Sequence, residues 1–330
     1  MAQHIAKNAI RQLIRMMLLM LCASLVAFGL LYLSPIDPLQ QNVGQAALGS
    51  MSPEQIEKLQ DYWGVNTPPA QRFGAWASGV VRGDFGTSLI YRQPVLTVIG
   101  AKLENSLWLL VFSWIISGVV GFALGVVAGA FQGRWPDRMI HSWSMIIAST
   151  PAFWVALLFL MIFGVWLGVL PVGLSVPIGL ESAAVTVADR LRHAVLPALA
   201  LSITGIASIA LHTREKMIEV MRSDYVLFAR ARGESQCNVV LRHALRSVAL
   251  PAITLQFVSL GEVIGSSVLI EQVFSYPGLG QAAVQAGLGS DLPLLLGITV
   301  VCSGLVFLGN FMADCLYSLA DPRIREGVGR

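Results

Sequence analysis

Long stretches of this chain carry no ionisable side chain. Met16–Ile36, Asn105–Gly133, Ser142–Leu180, Ala194–Leu211 and Leu292–Ala313 lack Asp, Glu, Lys, Arg and His, and Ser247–Ile270 is broken only by Glu262. A helix of about 20 apolar residues crosses a bilayer with every backbone polar group satisfied internally. Each run therefore predicts one membrane-spanning helix. The longest, Ser142–Leu180, contains Pro171, Gly173 and Pro177 and predicts a span followed by a loop. The expected fold is all-α and polytopic: six transmembrane helices in a single membrane domain covering residues 1–330.

Two polar intervals stand out between the runs. The first, about 34–101, has turn signals at Pro35, Pro38 and Pro68-Pro69. It also has Ser52-Pro53-Glu54-Gln55, which reads as N-cap, Pro at N1 and a capping glutamine at N3. The second, about 213–247, holds seven of the 22 Lys and Arg residues between Arg214 and Arg246. Inside the second apolar run, Gly121, Gly125 and Gly129 recur every four residues. That spacing lets another helix approach closely, and internal bundle packing is expected ahead of a subunit interface.

Composition agrees with this pattern. Of 330 residues 55% are hydrophobic and 12% charged, with mean hydropathy +0.69, which excludes a single soluble core. With six spans, one side collects Lys7, Arg11, Arg15, Arg134, Arg138, the seven bases of the second interval, and Arg323, Arg325 and Arg330. The other side has Lys58, Arg72, Arg82, Arg92, Lys102, Arg190 and Arg192, mostly in one long loop that counts little. Both termini and the 213–247 interval are thus expected on the cytoplasmic face of a bacterial inner membrane, with 34–101 periplasmic. Lys7, Arg11 and Arg15 resemble the basic start of a signal peptide, but Met16–Leu33 is long for one and no A-x-A site follows. Cys22 lacks the small residues that precede a lipoprotein cysteine, so a retained first helix is expected. Cys22, Cys237, Cys302 and Cys315 lie in or beside spans or on the cytoplasmic side, so no disulfide is implied.

The second interval has an internal plan. Ser223 stands where a helix N-cap would be, and Tyr225, Phe228, Ala229 and Arg232 follow at three- and four-residue steps. Gly233 then permits a turn, and Gln236–Ala249 predicts a second helix. In it Val239, Val240, Ala244 and the aliphatic stem of Arg242 are available for packing. Such a segment could lie on anionic lipid as a positive-inside loop. Its length, far beyond what two spans need, and its glycine hinge point instead to a surface that another protein grips.

Catalytic motifs are missing. Lys7, Lys58, Lys102 and Lys216 follow Ala, Glu, Ala and Glu, so there is no Gly-Lys phosphate cradle; H-E-x-x-H and G-x-S-x-G are also lacking. His141, His193, His212 and His243 sit near span ends, where a solvated histidine is ordinary. The chain is not expected to be an enzyme, and no nucleic-acid partner is expected. An ion-coupled carrier or channel is the alternative, but such proteins place ionisable relays mid-span. Here Glu262 and Asp314 are the only acids well inside apolar runs. The reading adopted pairs Glu262 with a donor across the bundle, and Asp314 with Asn310 one turn away.

These residues carry a resemblance. The Ala229-x-x-x-Gly233 core with "LRHALRSVALP" (241–251) resembles the cytoplasmic docking loop of membrane-spanning subunits of ATP-binding-cassette importers, in the dipeptide, oligopeptide and nickel branch. "RGDFGTS" (82–88), "STPAFW" (149–154), "HAVLPALALS" (193–202), "EQVFSYPGLG" (271–280), "DLPLLLG" (291–297) and "DPRIR" (321–325) are similar to that family's motifs, in its order. The resemblance runs from Arg11 to Arg325 and is weakest between Ser34 and Val80. It departs at Leu227-Phe228-Ala229, where the wider superfamily has Glu-Ala-Ala before the loop glycine.

The resemblance implies the type I importer permease fold and a set of partners. These are a second, similar permease forming a heterodimer, two cytoplasmic ATPases that bind ATP and Mg, a periplasmic solute-binding protein, and the lipid bilayer. No cofactor is implied in this chain itself. It assigns ATPase docking to Asp224, Tyr225, Phe228, Ala229, Gly233 and His243. It makes Glu262, Asp84, Tyr276, Pro277 and Gly278 candidates for the pathway or its outer gate. The solute implied is nickel, a metal chelate or a small peptide. The short outside connection Pro171–Arg192 resembles nickel and metallophore members, whereas no His/Cys/carboxylate cluster in a span supports a bare-metal site.

Overall fold

The computed structural model describes residues 2–177 and 185–320. Within them the elements are helical, apart from one isolated antiparallel bridge between Thr87 and Pro94. The "DPRIR" stretch, the bases Arg323, Arg325 and Arg330, and part of the Pro171–Arg192 connection lie outside the described residues. Helix α1 spans Ala2–Tyr32, and four short helices follow: α2 (Pro38–Val43), α3 (Gln45–Leu48), α4 (Pro53–Trp63) and α5 (Pro69–Val81). Next come α6 (Val95–Ala130), α7 (Trp135–Ala148) and α8 (Ala152–Phe159), the last continued by a π-helical turn at Leu160–Trp166. Helix α9 is Val187–Met221, α10 is Asp224–Ala231, α11 is Gln236–Val239, and a π turn at Val240–Ala244 leads into α12 (Leu245–Val258). Helices α13 (Leu260–Val273), α14 (Leu279–Leu288) and α15 (Leu292–Ala320) complete the order.

Among the described residues, α1, α6, α9 and α15 are long and apolar enough to cross a membrane, and two bent pairs bring the total to six when each pair is counted as one span. One pair is α7 with α8, bent by 104°, and the other is α11–α12 with α13, bent by 49°. The run expected to give a single third span is therefore broken. Pro151 forces Thr150 out of helical backbone, so α7 stops at Ala148 and α8 restarts at Ala152. The helix expected at Gln236–Ala249 begins at Gln236 but does not stop. It passes through the π turn and Pro251 to Val258, and its Arg242 is exposed. Ser223 occupies the N-cap position of α10, yet its hydroxyl donates to the Val220 carbonyl at 2.6 Å instead of capping. Helix α9 outruns its apolar stretch at both ends. Thr186 and Asp189 close a capping box at its start, and the charged, helix-favouring residues from Arg214 to Glu219 continue it to Met221.

The chain forms two compact units. The first is Met1–Ser106 with Pro277–Phe307. Its core joins Val95, Val98 and Ile99 of α6 to Leu279, Ala282 and Ala286 of α14 and Leu294 and Ile298 of α15. Asp291, fully buried, accepts from the Ser88 hydroxyl at 2.5 Å and from the amides of Ile90 (3.0 Å) and Leu294 (3.2 Å). It thereby caps α15 and ties down the 88–90 turn. The Tyr91 hydroxyl donates to Gln285 at 2.7 Å, and burial with the nearby Asp291 charge raises its pKa. Ser52 and Gln55 form the expected capping box on α4, and Gly64 ends that helix in the left-handed conformation.

The second unit is Leu107–Tyr276 with Leu308–Arg330. In it the four-residue glycine repeat behaves as the pattern predicts. A Cβ on Gly121 would meet the Ile206 carbonyl at 2.9 Å, one on Gly125 the Ala210 carbonyl at 2.7 Å, and one on Gly129 the Arg214 carbonyl at 2.8 Å. The repeat is thus the seam between α6 and α9 inside this chain. At the end of that seam Arg214 holds Asp137 of α7 by two hydrogen bonds, and Asp137 also accepts from the Gly133 amide at 2.7 Å.

Candidate functional site

Helix α10 has two faces. Val226 and Ala229 point inward, at 0% and 5% exposure. They close a cluster with Met217, Val220 and Met221 of α9, Val239, Ala244 and Val248 of the helix that follows, and Val126 and Ala130 of α6. Tyr225, Leu227 and Phe228 point outward, with Phe228 69% exposed. Asp224 begins the helix and is exposed. The three- and four-residue steps grouped Ala229 with Tyr225 and Phe228; the structure separates them, because Ala229 anchors the helix while the two rings face out. Leu227, marked in the sequence as a departure from the family pattern and not as a docking residue, joins the outward apolar set. Gly233 turns the chain at φ +85°, the left-handed region that glycine reaches without strain, and its amide donates to the Arg230 carbonyl at 2.9 Å. Across that turn His243 Nε2 lies 3.1 Å from the Glu234 carboxylate. The side chain of Gln236 donates to the Ala130 carbonyl, which fixes the far side of the hairpin to α6.

The two glycine-containing motifs around Asp84 and Tyr276 are turns. In the first unit, Gly83 and Gly86 take φ +84° and +81°, and the Asp84 carboxylate accepts from the Gly86 amide at 2.8 Å. Asp84 is exposed and engaged in its own turn. Pro277 and Gly278 precede α14, where the Pro277 carbonyl accepts from the Asn105 amide group at 3.1 Å and Ser106 accepts from the Leu279 amide at 2.7 Å. In the second unit, the Tyr276 amide donates to the Glu271 carbonyl at 2.8 Å, with Ser275 at φ +48°, and so closes the end of α13. The Tyr276 ring is 1% exposed, inside the cluster of Leu109, Leu196 and Phe274. Burial first, and then the Glu271 charge, push its phenol up to about 12. Gly173 packs against this corner: a Cβ there would stand 2.4 Å from the Phe274 carbonyl, and His193 Nδ1 lies 3.0 Å from the Gly173 carbonyl.

Glu262 sits in the first turn of α13, just past the bend at Ser259, and it is exposed within this chain. It borders a cleft of about 340 Å³ lined also by Thr150, Thr204, Ser208, His212 and Ser266. Thr204, Ser208 and His212 follow one another at four-residue intervals on α9, so they share a face of that helix. The two hydroxyls of this ladder form a polar stripe within the apolar run 194–211, and His212 directly follows that run. Among the described residues no group of three or more His, Cys, Asp or Glu is placed to hold a metal ion.

Comparison with known proteins bears on the whole chain. Residues 121–326 match the family described as binding-protein-dependent transport system inner membrane component. The oligopeptide transport system permease protein AppB of Bacillus subtilis is 32% identical over 97% of this chain and 99% of its own length. A putative peptide transport system permease protein of Brucella abortus is 36% identical over 93% of this chain and 95% of its own. The glutathione transport system permease protein GsiC of Escherichia coli K12 is 31% identical over 96% and 98% respectively.

Proposed function

This chain belongs to the family of binding-protein-dependent inner membrane transport components, in the peptide and nickel branch, and from that premise we propose that its solute is a small peptide. As a member it is a multi-pass permease subunit of an ATP-binding-cassette importer, not an enzyme, with ATP hydrolysis carried by separate subunits. Family membership displaces the ion-coupled carrier reading. Relatives that match nearly end to end bear the names of oligopeptide, peptide and glutathione permeases, which favours a peptide over nickel or a metal chelate.

In the proposed mechanism, this chain and a second, similar permease enclose the pathway, with both termini cytoplasmic and the 34–101 segment periplasmic. Helix α10 seats its outward Tyr225, Leu227 and Phe228 in an ATPase. The observation that carries this is the division of α10 into an anchored face and an exposed apolar one. Val226 and Ala229 pack at once on α9 and on the α11–α12 helix. A push on α10 is therefore delivered to both, and through the bend at Ser259 to α13. Two packed arrangements biased by nucleotide are all that alternating access requires. Closed turns at Asp84 and at Tyr276–Gly278 fix the outer ends of the helices, in line with a structural role at the outer gate. Uptake of trialanine by the assembled complex, competed with other peptides and with Ni²⁺, tests the solute. Competition by peptides and not by Ni²⁺ supports the reading, and the reverse removes it.

A further inference from the structure

We propose that the cleft around Glu262 is a station for the ammonium group of the solute, with Glu262 as its counter-charge and the α9 hydroxyls as its acceptors. The inference rests on the peptide reading and names the residues that would act on it. The direction of the hydrogen bonds is the first ground. Thr150 donates its hydroxyl proton to the Ile146 carbonyl at 2.8 Å, and Thr204 donates to Leu201 at 3.3 Å. Ser259, which with Glu262 lines a separate hollow of about 20 Å³ beside the cleft, donates to Gln256 at 2.9 Å. Having spent their protons on their own helices, these hydroxyls present lone pairs to the cleft. A carboxylate adds more acceptors and no donor. Together with Glu262 these hydroxyls suit a group with three N–H donors and no acceptor, such as a primary ammonium, while Ser208, Ser266 and His212 on the same cleft keep protons of their own to donate.

Placement is the second ground. A carboxylate inside an apolar span is costly unless it faces water or a partner charge. Glu262 is exposed to the cleft, and among the described residues no ion pair of this chain engages it. The cleft is of a size to take a small polar group, at about 340 Å³. From it the same face of α9 continues through His212 to Glu215 and Glu219, which line a neighbouring hollow of about 420 Å³ at the α10 end of that helix. A cationic head leaving Glu262 thus meets Glu215 next along the helix, while Glu219 beyond it is paired with Lys216 at 2.8 Å.

The experiment uses the complete complex in proteoliposomes, with saturating binding protein, ATP and radiolabelled trialanine. Initial uptake is compared for the unaltered chain, Glu262→Gln and Glu262→Asp between pH 7 and pH 9. The same three are repeated with His212, the other titratable group on the cleft, replaced by Gln, so that its titration cannot enter. The amino group of a peptide titrates near 8, so its charge is lost across this window. At pH 7 Glu262→Gln should slow uptake by about tenfold, the loss expected for one hydrogen bond to a charged group, while Glu262→Asp recovers most of it. By pH 9 the ratio of unaltered to Gln uptake should fall toward one. A ratio that stays constant with pH, or a Gln variant that transports normally, overturns the proposal. So does loss of the partner permease from the purified Gln complex, which would make Glu262 an intersubunit ion pair. If the unaltered complex takes up no trialanine at either pH, the peptide reading itself fails.

Discussion

Arg214 of α9 grips Asp137 of α7 in a two-pronged contact, Nε to Oδ1 at 2.5 Å and the second guanidinium nitrogen to Oδ2 at 3.0 Å. Asp137 is 3% exposed, and it also receives the amide of Gly133 at the turn between α6 and α7. One carboxylate thus ties α7, α9 and the 130–134 turn together, with Arg214 ten residues before α10 begins at Asp224. Truncating one partner of a buried pair leaves the other charge stranded, which costs about 3–5 kcal/mol. Asp137→Ala should destabilise the chain by roughly the lower end of that range, because Arg214 keeps partial contact with solvent. Arg214→Ala with Asp137→Ala together should cost less than the sum of the two. Thermal unfolding of the four variants in detergent measures the coupling, and simple additivity would show that the pair contributes nothing.

The glycine seam gives a sharper steric test. A methyl at Gly125 would lie 2.5 Å from the Thr213 Cβ and 2.7 Å from the Ala210 carbonyl, whereas one at Gly265 meets nothing within 4 Å. Overpacking of this kind costs about 1–3 kcal/mol. Gly125→Ala should lower the unfolding temperature, and Gly265→Ala should not. Equal effects would mean that the α6–α9 contact is looser than described.

The two faces of α10 should separate folding from coupling. Phe228→Ala removes an outward ring and should leave the chain's thermal stability unchanged, while reducing its co-purification with the ATPase several-fold. Val226→Asp buries an unpaired charge in the cluster with Met217 and Ala244 and should destabilise the chain by several kcal/mol. Retention of the ATPase by Phe228→Ala would remove that ring from the docking surface.

Much of this was legible in the residues. Uninterrupted apolar runs located the helices that cross the membrane, because the bilayer demands length and apolarity and little else. Ser52 and Gln55 announced a capping box, and Gly121, Gly125 and Gly129 announced a tight seam, since each pattern has one geometric solution. What local pattern could not show was which way a side chain points in a short helix. Two residues of three-period spacing, Phe228 and Ala229, are neighbours in sequence yet lie on different faces, and only tertiary packing decides between them. The break at Pro151 is written in the sequence, but its 104° bend depends on what α7 and α8 pack against. The hydroxyl ladder opposite Glu262 needed two distant helices to be brought together before it could be read as a lining.

Tyr276 makes an alkaline prediction. Its phenol is raised from 10 to about 12 in the folded chain, so between those values the folded state holds a proton that the unfolded state has lost. The associated stability, about 2–3 kcal/mol from a shift of that size, is present in full below pH 10 and is lost as pH rises toward 12. Tyr276→Phe should flatten that limb of the stability profile. As a buried residue, Tyr276→Ala should depress transport of all solutes alike. A change in which peptides compete would instead place the ring against solute.

Import coupled to an ATPase through α10 is tested most directly by accumulation of radiolabelled trialanine in proteoliposomes. The vesicles carry this chain with its partner permease and ATPases, and are assayed with and without ATP and binding protein, and with Gly233→Pro. Proline cannot adopt the φ of +85° found at Gly233 and lacks the amide that donates to Arg230, so the turn behind α10 must shift. Accumulation is expected only when ATP and binding protein are both present, and it should be abolished by Gly233→Pro in a complex whose membrane helices remain inserted. Accumulation by the purified chain alone on an ion gradient, without ATP, would contradict it.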